Sequence, residues 1–222
     1  MPIQDGPLKG LRWIVTSGKH FITGNYEPYK TRAFLANLRE GDIVVDVGAH
    51  VGYYSVLASR KVGKHGKVFS FEPRPLNIGF FKDHVRVNGL NNITLYEGAI
   101  SARTGEATFN TNTGTGTGHL SDHGRLKVKT YCLDELVEIG EIPRLDFLKI
   151  DVEGGEIEVL KGSLNAISQN RPRMLLATHS EDTHNFVLKF LEEHNYQFQI
   201  LDKDGSKGDT EIIALPNDVD PG

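Results

Sequence analysis

Cysteine is almost absent from this sequence of 222 residues. The single Cys132 cannot form a disulfide within the chain, and its neighbours Tyr131 and Leu133 favour a small buried residue over a nucleophile. No apolar run approaches the length needed to span a bilayer, and the first residues do not resemble a secretory signal. We therefore expect a cytoplasmic protein with no membrane partner.

Positive charge is also scarce. The chain has 25 Lys and Arg against 29 Asp and Glu, and its net charge of -4 is spread along the sequence. Proteins that hold nucleic acid through its phosphates usually carry basic stretches, so we do not expect such a partner. The length suits one α/β domain, with residues 1–40 forming a cap region and a helix and residues 41–222 forming the core. Nothing in the sequence predicts the oligomeric state.

The hydrophobic period changes between residues 43 and 61, and glycines stand at the change. Residues 43–47 are mostly β-branched, which is typical of a parallel strand buried on both faces. From residue 51 to about 61 the apolar residues recur with helical spacing. The turn between them contains Asp46, Gly48 and Gly52 in the pattern Asp-x-Gly-x-x-x-Gly. Because glycine lacks a Cβ, this turn can bend sharply and let a ligand approach the backbone.

The turn lacks the Gly-x-Gly-x-x-Gly pattern that binds dinucleotides. His50 occupies the position where the second glycine would leave room for a pyrophosphate, and Tyr53 occupies that of the third. A nucleoside without a pyrophosphate still fits, and S-adenosylmethionine is such a ligand. The next predicted strand, residues 67–71, is followed by Glu72 and Pro73. A carboxylate about 20 residues beyond such a turn commonly accepts hydrogen bonds from ribose hydroxyls.

These motifs, together with residues 41–54 and the stretch Leu-Lys-Ile-Asp-Val-Glu-Gly at 148–154, resemble the FkbM family within the class I methyltransferases. The resemblance covers about residues 25 to 180. It implies S-adenosylmethionine as cofactor and O-methylation of a hydroxyl on a carbohydrate or small natural product. The motifs and the resemblance together give ten candidate cofactor-binding residues: Asp46, Gly48, Ala49, His50, Gly52, Tyr53, Glu72, Pro73, Gly98 and Ala99.

The rest of the chain alternates strands and helices. Further strands are predicted at 93–96, 146–150 and 174–177, and helices are predicted at 76–87, from about 156 and at 183–194. This alternation implies right-handed crossovers and a parallel sheet. Strand-like stretches at 196–201 and 211–215 surround Lys203-Asp204-Gly205, which predicts a hairpin. We therefore predict a Rossmann-like α/β fold, with an open, mostly parallel sheet, helices on both faces and a C-terminal antiparallel hairpin.

Three local features are also predicted. Residues 11–15 could form a short strand. A helix opens at Glu27-Pro28 and runs to about residue 39, and Gly41 ends it as the residue after the C-cap. Asp134 caps a short helix that runs through residue 137.

Methyl transfer is an in-line displacement, and an alcohol acceptor needs a base or a metal near the methyl group. Asp151 and Glu153 follow one predicted strand and His179 follows its neighbour, which makes them candidate catalytic residues. Each has an alternative role. Asp151 could cap a helix or bind the cofactor's ammonium group, and Glu153 could be a first-turn acid that complements the helix dipole. His179 could be a polar residue at a strand end. An unperturbed histidine has a pKa of about 6.5, which suits a base. Asp151, Glu153 and Glu181 carry the oxygens that Mg²⁺ prefers, but no metal ligand is assigned.

Residues 111–124 are rich in threonine and glycine and lie between strand-like stretches at 107–110 and 126–131. They form either a loose hairpin tip or a lid over the acceptor, with His119 at its edge. Tyr53 or Trp13 could offer a sugar an apolar face, although Trp13 is expected in the core. Two other functions stay open: a nucleic-acid base methyltransferase, and a regulatory protein that binds S-adenosylmethionine without catalysis.

Overall fold

A computed structural model describes residues 1–110, 119–120, 124, 126–201 and 209–217. The strands are β1 (Ile43–Val47), β2 (Lys67–Glu72), β3 (Ile93–Glu97), β4 (Ala99–Ile100), β5 (Gly105–Asn110), β6 (His119–Leu120), β7 (Leu126–Tyr131), β8 (Phe147–Ile150), β9 (Arg173–His179), β10 (Tyr196–Ile200) and β11 (Asp209–Pro216). The α-helices are α1 (Pro28–Asn37), α2 (Tyr53–Val62), α3 (Pro75–Val87), α4 (Leu133–Glu138), α5 (Glu156–Lys161), α6 (Leu164–Asn170) and α7 (Glu181–Glu193). None of the helices in these ranges is long and apolar enough to cross a membrane.

The main sheet has seven strands in the order β10-β11-β9-β8-β1-β2-β3. The pairs β1–β2, β1–β8, β8–β9 and β2–β3 are parallel, whereas β11 is antiparallel to both β9 and β10. The predicted fold class, including the C-terminal antiparallel hairpin, is therefore confirmed. The predicted turn of that hairpin, at Lys203 to Gly205, lies outside the described residues.

Strand β1 lies inside the sheet, between β8 and β2, and helices cover the apolar residues on both of its faces. Val44 belongs to a core cluster with Phe34 of α1 and Val56 of α2 on one face. Val45 packs on the other face, in a cluster that includes Val159 of α5. Full burial of each such side chain contributes about 1.5–3 kcal/mol to folding. The helices on both faces thus fix the position of the polar turn that follows β1.

A second sheet, which was not predicted, has four strands in the order β4-β7-β5-β6. Its strands β5 and β7 match the two predicted strand-like stretches. Strand β4 has two residues, too few to show a hydrophobic period, and it pairs in parallel with β7. This pairing holds Ala99 beside the end of the main sheet. Most of the predicted lid at 111–124 lies outside the described residues, and for His119 only the backbone strand is described.

Two predictions near the N-terminus are wrong. Residues 11–15 form no regular strand: Arg12 makes an isolated bridge to Pro2, whose ring nitrogen has no hydrogen to donate, and a 3₁₀ turn begins at Val15. Gly41 does not end α1, because the chain already becomes extended at Leu38, which is buried in the core. Trp13 is fully buried, as expected, so it offers no exposed face to a sugar.

Asp134 caps a different helix from the one predicted. It lies in the first turn of α4, whose N-cap is Cys132. Its carboxylate accepts hydrogen bonds from the backbone N–H groups of Asn165 (3.1 Å) and Ala166 (2.8 Å) at the start of α6. The first N–H groups of a helix have no partner within it, so an acid from a neighbouring helix can satisfy them. Cys132 is buried, as predicted for a small residue without a catalytic role.

Candidate active site

The glycine turn after β1 is shaped by close contacts within the protein. Gly48 has a φ of +78°, and a Cβ on it would lie 1.8 Å from the carbonyl oxygen of Asp151. Gly52 has a φ of +92°, and its Cβ would lie 2.8 Å from the ring of Phe81. The backbone N–H groups of Gly48 and Ala49 both donate to the carbonyl of Phe71 on β2. The two glycines are therefore required because β8 and α3 approach so closely, and not only for a ligand.

Glu72 lies at the end of β2 in a cavity beside this turn. Its carboxylate accepts hydrogen bonds from the backbone N–H groups of His50 (2.8 Å) and Arg74 (2.9 Å) and from the side chain of Asn77 (3.1 Å). Burial raises the pKa of Glu72, and these hydrogen bonds oppose that shift only in part. The cavity is lined by this carboxylate, by the backbone of the glycine turn and by apolar side chains such as Phe71 and Ile100. Glu72 is thus a fixed, buried carboxylate in a mostly apolar pocket beside the turn.

The ten candidate cofactor residues do not all reach this pocket. The members that line it are Gly48, His50, Glu72, Pro73 and Ala99, whereas Ala49 and Tyr53 line a neighbouring cavity. Asp46 is fully buried, accepts a hydrogen bond from Ser55 (2.6 Å) and pairs with Lys149 (3.1 Å). A Cβ on Gly98 would lie 2.6 Å from the carbonyl oxygen of Lys129. In the structure Asp46, Gly52 and Gly98 therefore make contacts that shape the turns around the pocket.

The neighbouring cavity is wider and more polar, and three parts of the chain form it. The N-terminal segment contributes Phe21, Tyr26, Glu27 and Lys30, and β11 contributes Glu211. Part of its remaining wall is shared with the first cavity, through Gly48, His50, Asp151 and Glu153. His50 and Glu153 both have positive φ, +52° and +58°, which is uncommon for residues with a side chain and is concentrated at functional sites. The two cavities thus meet at one strained, polar wall.

The three candidate catalytic residues lie together in the second cavity, and two of them, Asp151 and Glu153, belong to the shared wall. His179 Nε2 is 3.5 Å from Asp151 Oδ1 and 3.7 Å from Glu153 Oε1. Convergence follows from the parallel pairing of β8 with β9, which brings the carboxyl ends of both strands to the same edge. The arrangement is the one that the sequence predicted for these residues.

Asp151 is held ionised by two buried lysines. Lys30 Nζ lies 2.8 Å from its Oδ2 and Lys149 Nζ lies 3.8 Å away. Burial alone would raise the pKa of Asp151, but the charges of the two ammonium groups and of His179 outweigh it and hold the pKa well below its usual range. A carboxylate of such low pKa is a weak base. Asp151 is therefore suited to supply a negative charge rather than to take a proton.

The pKa of His179 is raised above the value of about 6.5 that an unperturbed histidine would have. Burial lowers the pKa, but a hydrogen bond of 2.7 Å between Nδ1 and Glu156 Oε1 and the charges of Asp151 and Glu153 raise it to about 9. The imidazole is consequently mostly protonated at neutral pH.

Four charged residues of the site were missed: Lys30, Lys149, Glu156 and Glu211. Lys30, only 5% exposed, donates to Asp151 and, at 2.6 Å, to Glu211. These partners are 121 and 181 positions away in sequence, so no local pattern could have indicated them. Burial, with Asp151 adding and Lys30 opposing, raises the pKa of Glu211 to about 7. Lys149 did carry a signal, since it lies two residues before Asp151 in an apolar strand and so shares its face.

A metal ion is the other group that this wall could hold. Asp151, Glu153 and His179 each offer one ligand atom, and these atoms lie within 4.8 Å of one another. Glu181, the third acid whose oxygens would suit Mg²⁺, is not part of this group. The positive charge at this point comes from protonated His179 and from Lys30, which are already paired with the carboxylates. We therefore assign no metal ligands.

The sheet order, with the cavity at the carboxyl ends of β1 and β2, is that of the class I methyltransferase fold. The sequence profile of the FkbM methyltransferase domain matches residues 46–198, and the chain belongs to this family. It is 32% identical over 191 residues to the hexuronic acid methyltransferase AglP of Haloferax volcanii, a match that covers 85% of this chain and 72% of that protein. The chain is therefore an S-adenosylmethionine-dependent methyltransferase, as the resemblance implied.

Solved structures agree with the fold. The FkbM methyltransferase of Methylobacillus flagellatus superimposes with a TM-score of 0.61 at 18% identity, over 81% of this chain and 44% of that one. This chain thus spans less than half of the Methylobacillus protein. A Streptococcus mutans structure in complex with SAH, the demethylated cofactor, gives a TM-score of 0.54 at 9% identity over 85% of this chain and 96% of that one.

Proposed function

We propose that this methyltransferase transfers the methyl group of S-adenosylmethionine to a hydroxyl of a carbohydrate acceptor. The observation that carries the proposal is the wall shared by the two cavities, formed by Gly48, His50, Asp151 and Glu153. A cofactor in one cavity would expose its methyl group to an acceptor in the other only at this wall.

The nucleoside end of the cofactor fits the cavity of Glu72. A carboxylate offers two acceptor oxygens, which suits the two ribose hydroxyls. The sulfonium would then lie near Asp151, whose negative charge is held by Lys30 and Lys149. We expect Asp151 to orient the cofactor and the acceptor, with Glu153 beside it, and His179 to receive the proton of the hydroxyl.

The second cavity suits a sugar. It offers both aromatic surfaces and charged hydrogen-bonding groups, among them Tyr26, Glu27, Tyr54 and Glu211. The relative AglP is a hexuronic acid methyltransferase, which supports a sugar acid as the first acceptor to test. Such a sugar offers hydroxyls and a carboxylate, and methylation of a carboxylate would need no base. A methyl ester is therefore a second candidate product, which the low basicity of Asp151 and the protonated state of His179 favour. The experiment must distinguish this ester from a methyl ether.

The test is transfer of labelled methyl from S-adenosylmethionine to uronic acid oligosaccharides, neutral oligosaccharides and nucleic acid. We expect label in the oligosaccharides that survives mild alkali, because a methyl ether resists hydrolysis and a methyl ester does not. Alkali-labile label would establish the ester instead. Label confined to nuclease-sensitive material would reject a carbohydrate acceptor, and binding of the cofactor without transfer to any fraction would favour a regulatory role.

A further inference from the structure

We propose that Glu156 is the positioning residue of this site. Its carboxylate holds the Nδ1–H of His179 so that Nε2 faces the shared wall and can take the proton of the acceptor hydroxyl. The inference rests on the proposed transfer to a hydroxyl and adds a residue that no motif indicated.

Contacts other than the one with His179 also hold the Glu156 side chain in place. It is the first residue of α5 and is 1% exposed. Its Oε1 accepts the backbone N–H of Gly154 at 3.0 Å and lies 2.7 Å from His179 Nδ1. A carboxylate can only accept hydrogen bonds, so Nδ1 must carry the hydrogen. The neutral imidazole is then the tautomer in which Nε2 has the free lone pair.

Nε2 points to the place where the acceptor is proposed to bind. Its distances of 3.5 Å to Asp151 Oδ1 and 3.7 Å to Glu153 Oε1 are longer than good hydrogen bonds. His179, Asp151 and Glu153 all line the second cavity. An acceptor hydroxyl beside these three groups could donate its single hydrogen to Nε2, and neighbouring hydroxyls of the same acceptor could donate to the two carboxylates and so fix its orientation. A buried carboxylate that orients a histidine in this way is a recurrent means of preparing a base.

The charges around His179 decide when it can act. Asp151 and Glu153 face it from the loop after β8, and Glu156 faces it from α5. The charged residues Glu27, Lys30, Lys149 and Glu211 share the cavity, and Asp209 is its backbone neighbour on β11. The three carboxylates favour the imidazolium, with a pKa of about 9. The positive sulfonium of a bound cofactor opposes this, since like charges disfavour each other. The neutral base is therefore formed more readily once S-adenosylmethionine is bound.

The proposed step balances in atoms and electrons. The acceptor oxygen forms a bond to the methyl carbon as the bond from that carbon to sulfur breaks, and sulfur keeps the bonding electron pair. The hydroxyl proton moves to His179 Nε2 and later passes to solvent. The products are the methyl ether and the neutral, demethylated cofactor.

The experiment compares wild type with Glu156→Gln in the full chain. Glutamine has nearly the same shape but no charge. We expect the pKa of His179, followed by ¹⁵N NMR, to fall by about one unit or more. The midpoint of the single-turnover rate against pH should fall by the same amount, and the rate at high pH should drop about tenfold or more because the base is weaker and less well held. Affinity for SAH, by calorimetry, should stay unchanged.

Glu158→Gln is the matched control. Glu158 lies on the same helix, but its side chain is 48% exposed and pairs with Lys161. This variant should leave both the His179 titration and the rate profile as in wild type. If Glu156→Gln does not fold, Glu156→Asp keeps the charge at a shorter reach and should shift both quantities in the same direction by less.

The outcomes separate this inference from the proposed function. A rate profile that stays in place while the His179 pKa moves would overturn the inference, as would an equal loss of SAH affinity in Glu156→Gln. A requirement for a divalent cation that Glu156→Gln weakens would also overturn it, since His179 would then be a ligand. If wild type forms no methyl ether at all, the proposed function itself fails.

Discussion

The wall of the first cavity and the wall of the second are built in different ways. The first is formed mostly by the carboxyl ends of β1 and β2, by strand β4 and by the loop after β8. All of these residues lie inside the stretch that matches the FkbM domain. The second takes Phe21 to Lys30 from before that stretch and Glu211 from after it. On the proposed assignment, the first wall, on the cofactor side, is thus a product of local turns, whereas the second wall, on the acceptor side, is assembled from both ends of the chain.

This difference separates binding from turnover in a way that experiments can examine. Glu72 receives its hydrogen bonds from His50, Arg74 and Asn77, which are all within 22 positions in sequence. Lys30 instead joins Asp151 and Glu211, which lie on different parts of the sheet. A substitution in the first wall should therefore change the affinity for SAH and leave turnover nearly intact, and a substitution in the second wall should do the reverse.

The largest effect is expected where the two walls meet. Asp151→Asn keeps the shape of the side chain and removes the charge opposite the sulfonium, so turnover should fall about 100-fold or more. Affinity for SAH should change little. Asp83→Asn, whose carboxylate is 45% exposed and pairs with Arg86, is the control. Full turnover in Asp151→Asn with the identified acceptor would reduce Asp151 to a structural role.

Lys30→Met should break the acceptor side alone. Methionine keeps the apolar length of lysine but leaves Asp151 and Glu211 without their shared ammonium, and loss of one partner of a buried pair costs about 3–5 kcal/mol of the free energy of unfolding. Urea denaturation measures this loss, and turnover should fall with it. Lys82→Met is the control, since Lys82 is 58% exposed in its pair with Glu97. If SAH affinity fell as far as turnover, the two walls could not be separated.

Acid should lower the free energy of unfolding through His84, which packs against the N-terminal segment. Its Nε2 accepts the backbone N–H of Ile14 (3.1 Å), and Trp13 stacks on its ring at 3.7 Å. Burial lowers the pKa of His84 to about 4 from an ordinary value of 6.5. The unfolded chain therefore binds a proton that the folded chain excludes, and about 3 kcal/mol of stability present above pH 6.5 should be lost as the pH falls toward 4.

The measurement is the free energy of unfolding from urea denaturation between pH 7.5 and pH 4.5. His84→Asn removes the titrating group, so it should be less stable at neutral pH and show a shallower decline. An equally steep decline in the variant would assign the acid sensitivity to other groups.

The smallest effect is expected on the cofactor side. Glu72→Ala removes a charged hydrogen-bond acceptor, which should cost about 1.5–3 kcal/mol of SAH binding. At saturating cofactor the turnover number should stay close to that of wild type, because the hydrogen bonds of Glu72 go to His50, Arg74 and Asn77 and not to Asp151 or His179. Calorimetry with SAH provides the measurement, and wild-type affinity in the variant would show that Glu72 does not contact the cofactor.

Features that depend on residues close together in the sequence could be predicted. The strand before Gly48, the acid at the end of β2 and the hairpin of β10 and β11 each follow from a local period or turn signal. The pairing of Asp134 with the start of α6 and the contacts of Lys30 depend on which elements lie side by side, which no local pattern encodes. The pKa of His179 could not be predicted for the same reason, since Glu156 is 23 positions away and belongs to a different element.

The strand order has a consequence for how the chain reaches this structure. Strand β11 lies between β9 and β10, although it is synthesised after both. Until residues 209–216 emerge, β9 has an unpaired edge and Lys30 lacks its contact with Glu211. Unpaired edges invite association with other chains. A chain that ends before this point would therefore carry the residues of the first cavity but lack Glu211 of the second, and we expect such a product to aggregate.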